Sequence, residues 1–409
     1  MKKTLLTIAL SMGLGLSAQE TLSNKKGSEY KFTPIKIHDA TPVLSQGWTG
    51  TCWSFSALSF LESELKRQGK GEHVLSQMFI VRNAYMGKAE KYIRMQGKAN
   101  FDEGGAFHDI AWVIKRHGIV PNEVYKGKNY GMDYHNHSEL SAVLKGAVGA
   151  VLETADKLKG ETHLSSAWKG AVDGILDAYL GEVPEEFKYQ GKKYTPKSFA
   201  EGLELNMDDY ISITSFTNHA FYEKCMLAIP DNWAWGSSYN VPLDDLFDQM
   251  KYTIENDFTF AWGADVSEKG FNYREGLAIV PADPSTIITK GNSNKNFSDA
   301  GASKKATCFD KPMEELEITQ ELRQEAYDNK TTQDDHGMHA TGMVKDQNGK
   351  IYFLIKNSWG TKSNDYDDAT KRYDGYFFAS EAYMKYKTIN IYIHKDALMP
   401  ELKKKLNID

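Results

Sequence analysis

Cysteine is scarce in this chain. Only Cys52, Cys225 and Cys308 occur among 409 residues, too few for a disulfide framework and odd in number, so at least one thiol is left over. Cys225 and Cys308, in YEKCMLA and KATCFDK, either pair with each other or are incidental; in both cases Cys52 remains. Positive charge is also in short supply. With 49 Lys and Arg against 55 Asp and Glu the net charge is −6, which argues against a phosphate-binding surface and hence against nucleic acid. Beyond the first twenty residues no apolar run approaches the roughly 20 residues that a membrane-spanning helix needs. Gly-rich phosphate loops and internal repeats are lacking as well. What remains is ordinary soluble composition, 41 % hydrophobic and 25 % charged.

The first residues are the exception to that plain composition. MKK is followed by the apolar stretch Leu5 to Leu16 and then by Ser17-Ala18-Gln19-Glu20. A basic start, a short apolar run and a small residue before a polar one form the pattern of a secretory signal peptide, with cleavage after Ala18. Residues 1–18 are therefore expected to be removed and the protein to be periplasmic or secreted. An exported protein that retains a free thiol risks oxidation. A use for Cys52 should then exist.

Cys52 stands in SQGWTGTCWSFS, six positions after Gln46. The residues behind it, WSFSALSFLESELKRQG, carry Phe55, Leu58, Leu61 and Leu65 at helical spacing, with Gly69 as a stop. The thiol is thus expected at a helix N-terminus, where orphan N–H groups and the helix dipole stabilise a thiolate. Gln46 would add an amide donor beside a backbone N–H, the pair that a developing oxyanion needs. Taken alone, the stretch fits a small buried thiol packed beside Trp53 better than a nucleophile. A base changes the balance. His339 lies in DDHGMHATGMV, where Ala340 to Val344 reads as a strand joined by a Gln347-Asn348-Gly349 turn to Ile351–Ile355. Asn357 follows that second strand, so His339 and Asn357 are expected side by side. An amide oxygen on one ring nitrogen would fix the tautomer and leave the other nitrogen to the thiol.

Gln46 and Cys52-Trp53, the later His339-Ala340, and Asn357-Ser358-Trp359-Gly360 resemble the papain-like cysteine peptidases. EGGAFHDIAWVIKRHGIVPNEVY (Glu103 to Tyr125) is similar to the Gly-Gly segment of that superfamily. Within it, the 287-position separation of Cys52 and His339, LGEVPEEFKYQGKKYTP and WGADVSEKGF resemble the bleomycin hydrolase and bacterial aminopeptidase C branch. The resemblance implies Cys52 as nucleophile, His339 as general base, Asn357 as its orienter and Gln46 in the oxyanion hole. It further implies that Gly104 and Gly105 bind substrate main chain and that Trp359 shields the His–Asn bond. The fold implied is α+β: a helical lobe and an antiparallel β-barrel-like lobe, with a large helical insertion. The divisions expected are 19–125 for the helical catalytic lobe, 126–250 for the insertion and 251–409 for the β-rich lobe. Helical spacing from Ser138 to Leu158 and from Leu164 to Leu180 supports the insertion, and Pro281 to Lys311 reads as a surface excursion.

The implied activity is hydrolysis of peptides through an acyl-thiol intermediate, aminopeptidase-like on short peptides. The family also implies a homo-oligomer, a hexamer in its known members. One departure is visible. In that branch a C-terminal arm lies in the cleft and its carboxylate holds the substrate's amino group, whereas here MPELKKKLNID follows shortly after the last expected strand. An endo- or oligopeptidase with an open cleft is therefore the first alternative. A catalytically silent peptide binder is the second, and acyl transfer to an amine would use the same residues. No metal or cofactor is expected. His135 and His137 in DYHNHSE read as a polar loop before a helix, and His336 with His339 fall on a strand rather than on a zinc-binding helix.

Overall fold

The computed structural model describes residues 21–158, 164–287, 307–361 and 369–408. The expected signal segment, much of the Pro281–Lys311 excursion and Asp409 lie outside them. After a first strand, β1 (Thr33–Ile37), the chain forms three helices: α1 (Cys52–Arg67), α2 (Gln77–Arg94) and α3 (His108–His117). The apolar stripe Phe55, Leu58, Leu61 and Leu65 of α1 packs into one core with Phe79, Ile80 and Ala84 of α2 and Ile110 and Val113 of α3. Burial does not stop at that stripe. Ser54, Ser56, Ser59, Glu62 and Ser63 of α1 are buried too, so the helix is sandwiched rather than half-solvated.

The next segment is helical as far as Gly202: α4 (Ser138–Leu158), α5 (Ala167–Leu180), the small hairpin β2 (Phe187–Tyr189) and β3 (Lys192–Tyr194), and α6 (Pro196–Gly202). Leu140, Leu144 and Val148 of α4 and Val172, Leu176 and Leu180 of α5 extend the same core outward. The helical character ends there, short of residue 250. Residues beyond it form β4 (Tyr210–Thr214), β5 (Glu223–Met226), β6 (Ser237–Asn240) and α7 (Leu243–Glu255). These three strands join the main sheet through the β4–β13 pairing, which the helical spacing upstream gave no sign of.

The remaining elements are β7 (Phe260–Ala264), β8 (Phe271–Asn272), β9 (Leu277–Ala278), α8 (Gln320–Asp328), β10 (His336–Lys345) and β11 (Ile351–Lys356), then β12 (Tyr376–Ser380), α9 (Glu381–Lys387), β13 (Thr388–His394) and α10 (Pro400–Lys405). The sheet runs β5-β6-β4-β13-β7-β10-β11-β12-β9-β8, with β1 also on β10. Most pairs are antiparallel, but β4–β6 and β9–β12 are parallel, and the described strands form an open row rather than a closed barrel. The β10–β11 turn forms at the Asn-Gly signal. Gly349 adopts φ +83, and the Asp346 carboxylate accepts from the N–H groups of Asn348 and Lys350.

β10 is buried along both faces up to Val344. Met338 and Ala340 enter the sheet's second core with Trp262, Phe353 and Ile355. The opposite face meets α1, and Gly337 sets how closely. A Cβ there would stand 2.7 Å from Ser56 Oγ, 3.1 Å from Phe107 and 3.2 Å from the Trp53 backbone. Gly337→Ala should therefore push β10 off the N-terminal turn of α1, at about 1–3 kcal/mol for an overpacked core. The check is thermal unfolding together with kcat on a peptide substrate. Both should fall, and unchanged values would show that the seam is slack.

Candidate active site

Cys52 is the first residue of α1, preceded by Thr51, whose side chain makes no cap bond to the helix. The helix N-terminus therefore opens toward the thiol, which lines one pocket with Trp53, Gly105, Phe107, Asp231, Asp334, His336 and Gly337. The loop before it is firmly held. Trp48 N–H donates to His135 O (2.8 Å), and Gly50 N–H donates to Glu103 Oε2 at 2.6 Å. The other oxygen of Glu103 accepts from Ser141 Oγ of α4 at 3.0 Å, so the inserted helices brace the nucleophile loop. Gln46 is fully buried. Its Oε1 accepts from Ser358 Oγ (2.6 Å), and its Nε2 donates one hydrogen to Thr49 O (2.6 Å). The second amide hydrogen is thereby held in a fixed direction.

The histidine that meets Asn357 and shares a pocket with Cys52 is not the one expected from the sequence. His336 Nε2 lies 2.7 Å from Asn357 Oδ1, and His336 shares the pocket with Cys52. His339 points elsewhere: its Nδ1 lies 2.9 Å from Ser59 Oγ, its ring packs edge-on against Phe60, and its registered partner on β11 is Lys356 rather than Asn357. Three residues along a strand reverse the face. The strand begins at His336 and not at Ala340, so the histidine at its start that meets the Asn after the neighbouring strand is His336. That earlier start, placed by pairing from His336 to Ala340 with β7, is a long-range feature. The sequence signal for it is His336 itself, three positions before His339 in DDHGMHATGMV.

With Nε2–H assigned as the donor to Asn357, Nδ1 carries the lone pair and is free to face the thiol. Asn357 Oδ1 also accepts from Ser358 N–H (2.8 Å). Trp359 lies over the imidazole, with ring centroids 4.7 Å apart and planes 30° apart, and is itself clamped by Phe271 and Tyr273 edge-on. Burial pushes the Cys52 thiol up to about 12 and draws His336 down to about 4. The backbone N–H groups of Gly337 and Trp53 oppose the first shift, while Asp231 and Asp334 add to it. Burial thus works against a charge on either group alone, and so against the thiolate that the helix dipole by itself would favour.

Gly104 and Gly105 lie where side chains have no room. A Cβ on Gly105 would meet Trp53 and Asp109 at 2.8 Å, and one on Gly104 would fall 2.0 Å from Asp231 Oδ2. Lys88, fully enclosed, donates to the carbonyls of Asp102 (2.8 Å) and Gly104 and so pins the segment from beneath. Behind the catalytic face, Lys356 Nζ donates to Ser59 Oγ (2.7 Å) and Thr41 Oγ1 (3.1 Å), and Thr41 donates to Glu62. Cys225 and Cys308 are both buried free thiols, so the pairing left open by the sequence is not made. His135 and His137 are buried and held well below their ordinary range by burial, to about 4 and about 3. Among the described residues no cluster of metal-ligating side chains occurs.

No family model matches the chain. It is 24 % identical over 411 residues to aminopeptidase C of Streptococcus thermophilus, covering 94 % of this chain and 87 % of that protein. Aminopeptidase C of Listeria monocytogenes is 23 % identical, with 92 % and 85 % covered, and bleomycin hydrolase of Mus musculus is 22 % identical, with 67 % and 69 % covered. Among solved structures, PepW from Lactobacillus rhamnosis matches with a TM-score of 0.69 at 20 % identity, over 92 % of this chain and 84 % of that one. These relatives support a cysteine peptidase of the aminopeptidase C and bleomycin hydrolase kind.

The assignment of the base is directly testable. His336→Ala should lower kcat by roughly 10²- to 10⁴-fold, as loss of a general base does, while leaving the fold intact. His339→Ala should act on stability, at about 1–3 kcal/mol for a broken buried hydrogen bond, with kcat per folded molecule near wild type. Steady-state kinetics beside thermal melts separate the two, and the reverse pattern would restore His339 as the base.

Proposed function

We propose that this protein is an exported cysteine aminopeptidase acting on short peptides through an acyl-thiol intermediate. The observation that carries the reading is the contact between His336 and Asn357 beneath Trp359, in the pocket that holds Cys52. As a peptide carbonyl reaches the sulfur, His336 Nδ1 takes the thiol proton and the sulfur bonds to the carbonyl carbon. Burial penalises either charge alone, but the thiolate–imidazolium pair forms together, at close range and with mutual attraction. The electron pair that moves to the carbonyl oxygen is met by the Cys52 backbone N–H and the remaining Gln46 amide hydrogen. Collapse of this intermediate breaks the C–N bond, and His336 gives its proton to the departing amine. Water, deprotonated by the same imidazole, then releases the acyl group and regenerates the thiol.

Asn357 takes no proton in this sequence. Its oxygen holds the ring so that Nδ1 faces the sulfur, and Trp359 keeps water from competing for the same bond. Lys88 and Glu103 hold the Gly-Gly wall and the nucleophile loop in register. The relatives named aminopeptidase C support exopeptidase action on peptides. The N-terminal signal pattern supports export, which is tested by fractionating cells and sequencing the mature N-terminus. A start at Gln19 is expected, and an intact Met1 would sink it.

Chemistry is tested by intact-mass analysis after brief exposure to iodoacetamide. Cys52 should take the label first, because Cys225 and Cys308 are buried in the fold, and labelling should track loss of peptide hydrolysis. Cys52→Ala should abolish turnover, whereas Asn357→Ala should depress kcat and leave a residue of activity. Equal labelling of all three thiols, or full activity of Cys52→Ala, would remove the reading.

A further inference from the structure

Asn357 faces two spaces. On one side its oxygen meets His336, and on the other it lines a small cavity of about 20 Å³ that the reaction described above does not use. Ser59 and Glu62 of α1, Gln77 of α2, and His339 and Lys356 of the β10–β11 hairpin line the same cavity, whereas Cys52 and His336 do not. All five of these polar side chains are buried. An interior polar space of this size has room for one water molecule. Two of the lining side chains bring a nitrogen that no protein group pairs. Asn357 is 2 % exposed and His339 0 %, yet Asn357 Nδ2 and His339 Nε2 have no hydrogen-bond partner among the described residues.

The surrounding hydrogen bonds assign both nitrogens as donors. Asn357 Oδ1 accepts twice, from His336 Nε2–H (2.7 Å) and from Ser358 N–H (2.8 Å), so Nδ2 carries the amide hydrogens. Lys356 Nζ donates to Ser59 Oγ at 2.7 Å. An ammonium can only donate, so the Ser59 hydroxyl hydrogen passes on to His339 Nδ1, 2.9 Å away. Burial, and then the charge of Lys356, hold His339 well below its ordinary range. The ring is therefore neutral and keeps its one proton on Nε2. Two donors meet in one small cavity, and a buried donor without an acceptor is costly. A cation cannot serve them, and the Glu62 carboxylate in the same lining disfavours an anion. Water serves both: its oxygen accepts twice, and its own hydrogens have acceptors in Glu62 and Gln77.

We propose that this cavity binds one water molecule, which accepts from Asn357 Nδ2 and His339 Nε2 and makes His339 a positioning residue for His336. The effect on rate rests on the cysteine peptidase reading; the water site does not. Water holds the Asn357 amide from behind, the amide oxygen holds His336 Nε2–H, and the other ring nitrogen stays turned to the sulfur. The bond made by one imidazole nitrogen decides which nitrogen carries the proton. An Asn357 amide whose nitrogen is left unpaired would be drawn away from His336 and would release that choice. His339 thus acts at two removes, without touching thiol or substrate. Replacing the imidazole by a larger hydrocarbon ring fills the cavity with carbon, whereas deleting the ring leaves polar space in which water keeps Asn357 paired.

A high-resolution crystal structure of the wild type should show one ordered water within hydrogen-bond distance of Asn357 Nδ2 and His339 Nε2. Crystals soaked in bromide should show no anomalous peak there. No density in the cavity would overturn the site, and a bromide peak would replace the water by an anion. The positioning role is read in His339→Phe against His339→Ala. The phenyl variant should have a kcat per folded molecule roughly 10- to 100-fold below that of the alanine variant, the range for one buried donor left unpaired, with KM little changed. Nitrogen-15 spectra of histidine-labelled protein should show His336 protonated on Nε2 in the wild type and in His339→Ala, and as a mixture of tautomers in His339→Phe. A loss of stability alone would not move that signature. Equal kcat and one unchanged His336 tautomer in both variants would overturn the positioning role. His339→Leu, closer to imidazole in volume, takes the place of His339→Phe if the phenyl variant does not fold. Density and spectra need no turnover. A water found in a protein that hydrolyses no peptide would sink the peptidase reading alone, and an active enzyme without it would sink the water site alone.

Discussion

The whole arrangement depends on how closely α1 can approach β10. Cys52 is on the helix and His336 on the strand, 284 positions later, and no local interaction holds them together. Gly337 removes the side chain that would separate the two elements. Small buried serines on α1, Ser56 and Ser59, present a thin surface to the strand. Because packed interiors do not deform smoothly, a methyl group at this seam is felt at the thiol.

Polar groups buried in the seam fix its register. Ser59 meets His339 and Lys356, while Thr41 joins Lys356 to Glu62. Glu62 also accepts from Leu75 N–H at 2.8 Å, tying α1 to the start of α2. Removing one partner from such a network leaves a desolvated donor or charge, which is costly and makes sliding of helix along strand unfavourable. His339 belongs to this structural side of the strand. His336, one strand-face over and at the strand's first position, belongs to the chemical side.

Electrostatics at the cleft follow from the same enclosure. Loss of water raises the thiol and lowers the imidazole, so it opposes a charge on either group alone.

Much was legible in the sequence because it is encoded locally. The Phe55–Leu65 stripe determined α1 and placed Cys52 at its start, the Asn348-Gly349 turn determined the β10–β11 hairpin, and the residues around Cys52 and Asn357 determined the kind of chemistry. Three things were decided only by tertiary structure. The start of β10 is set by pairing with β7, and it puts His336 rather than His339 beside Asn357. The strands from Tyr210 to Asn240 join the sheet through β13, although the helical spacing before them suggested a longer helical unit. Asp231 reaches the nucleophile only because a loop some 180 residues downstream of Cys52 folds back over Gly104. Periodicity and turn chemistry act over a few residues, whereas strand register and loop placement are fixed by partners far away in the chain.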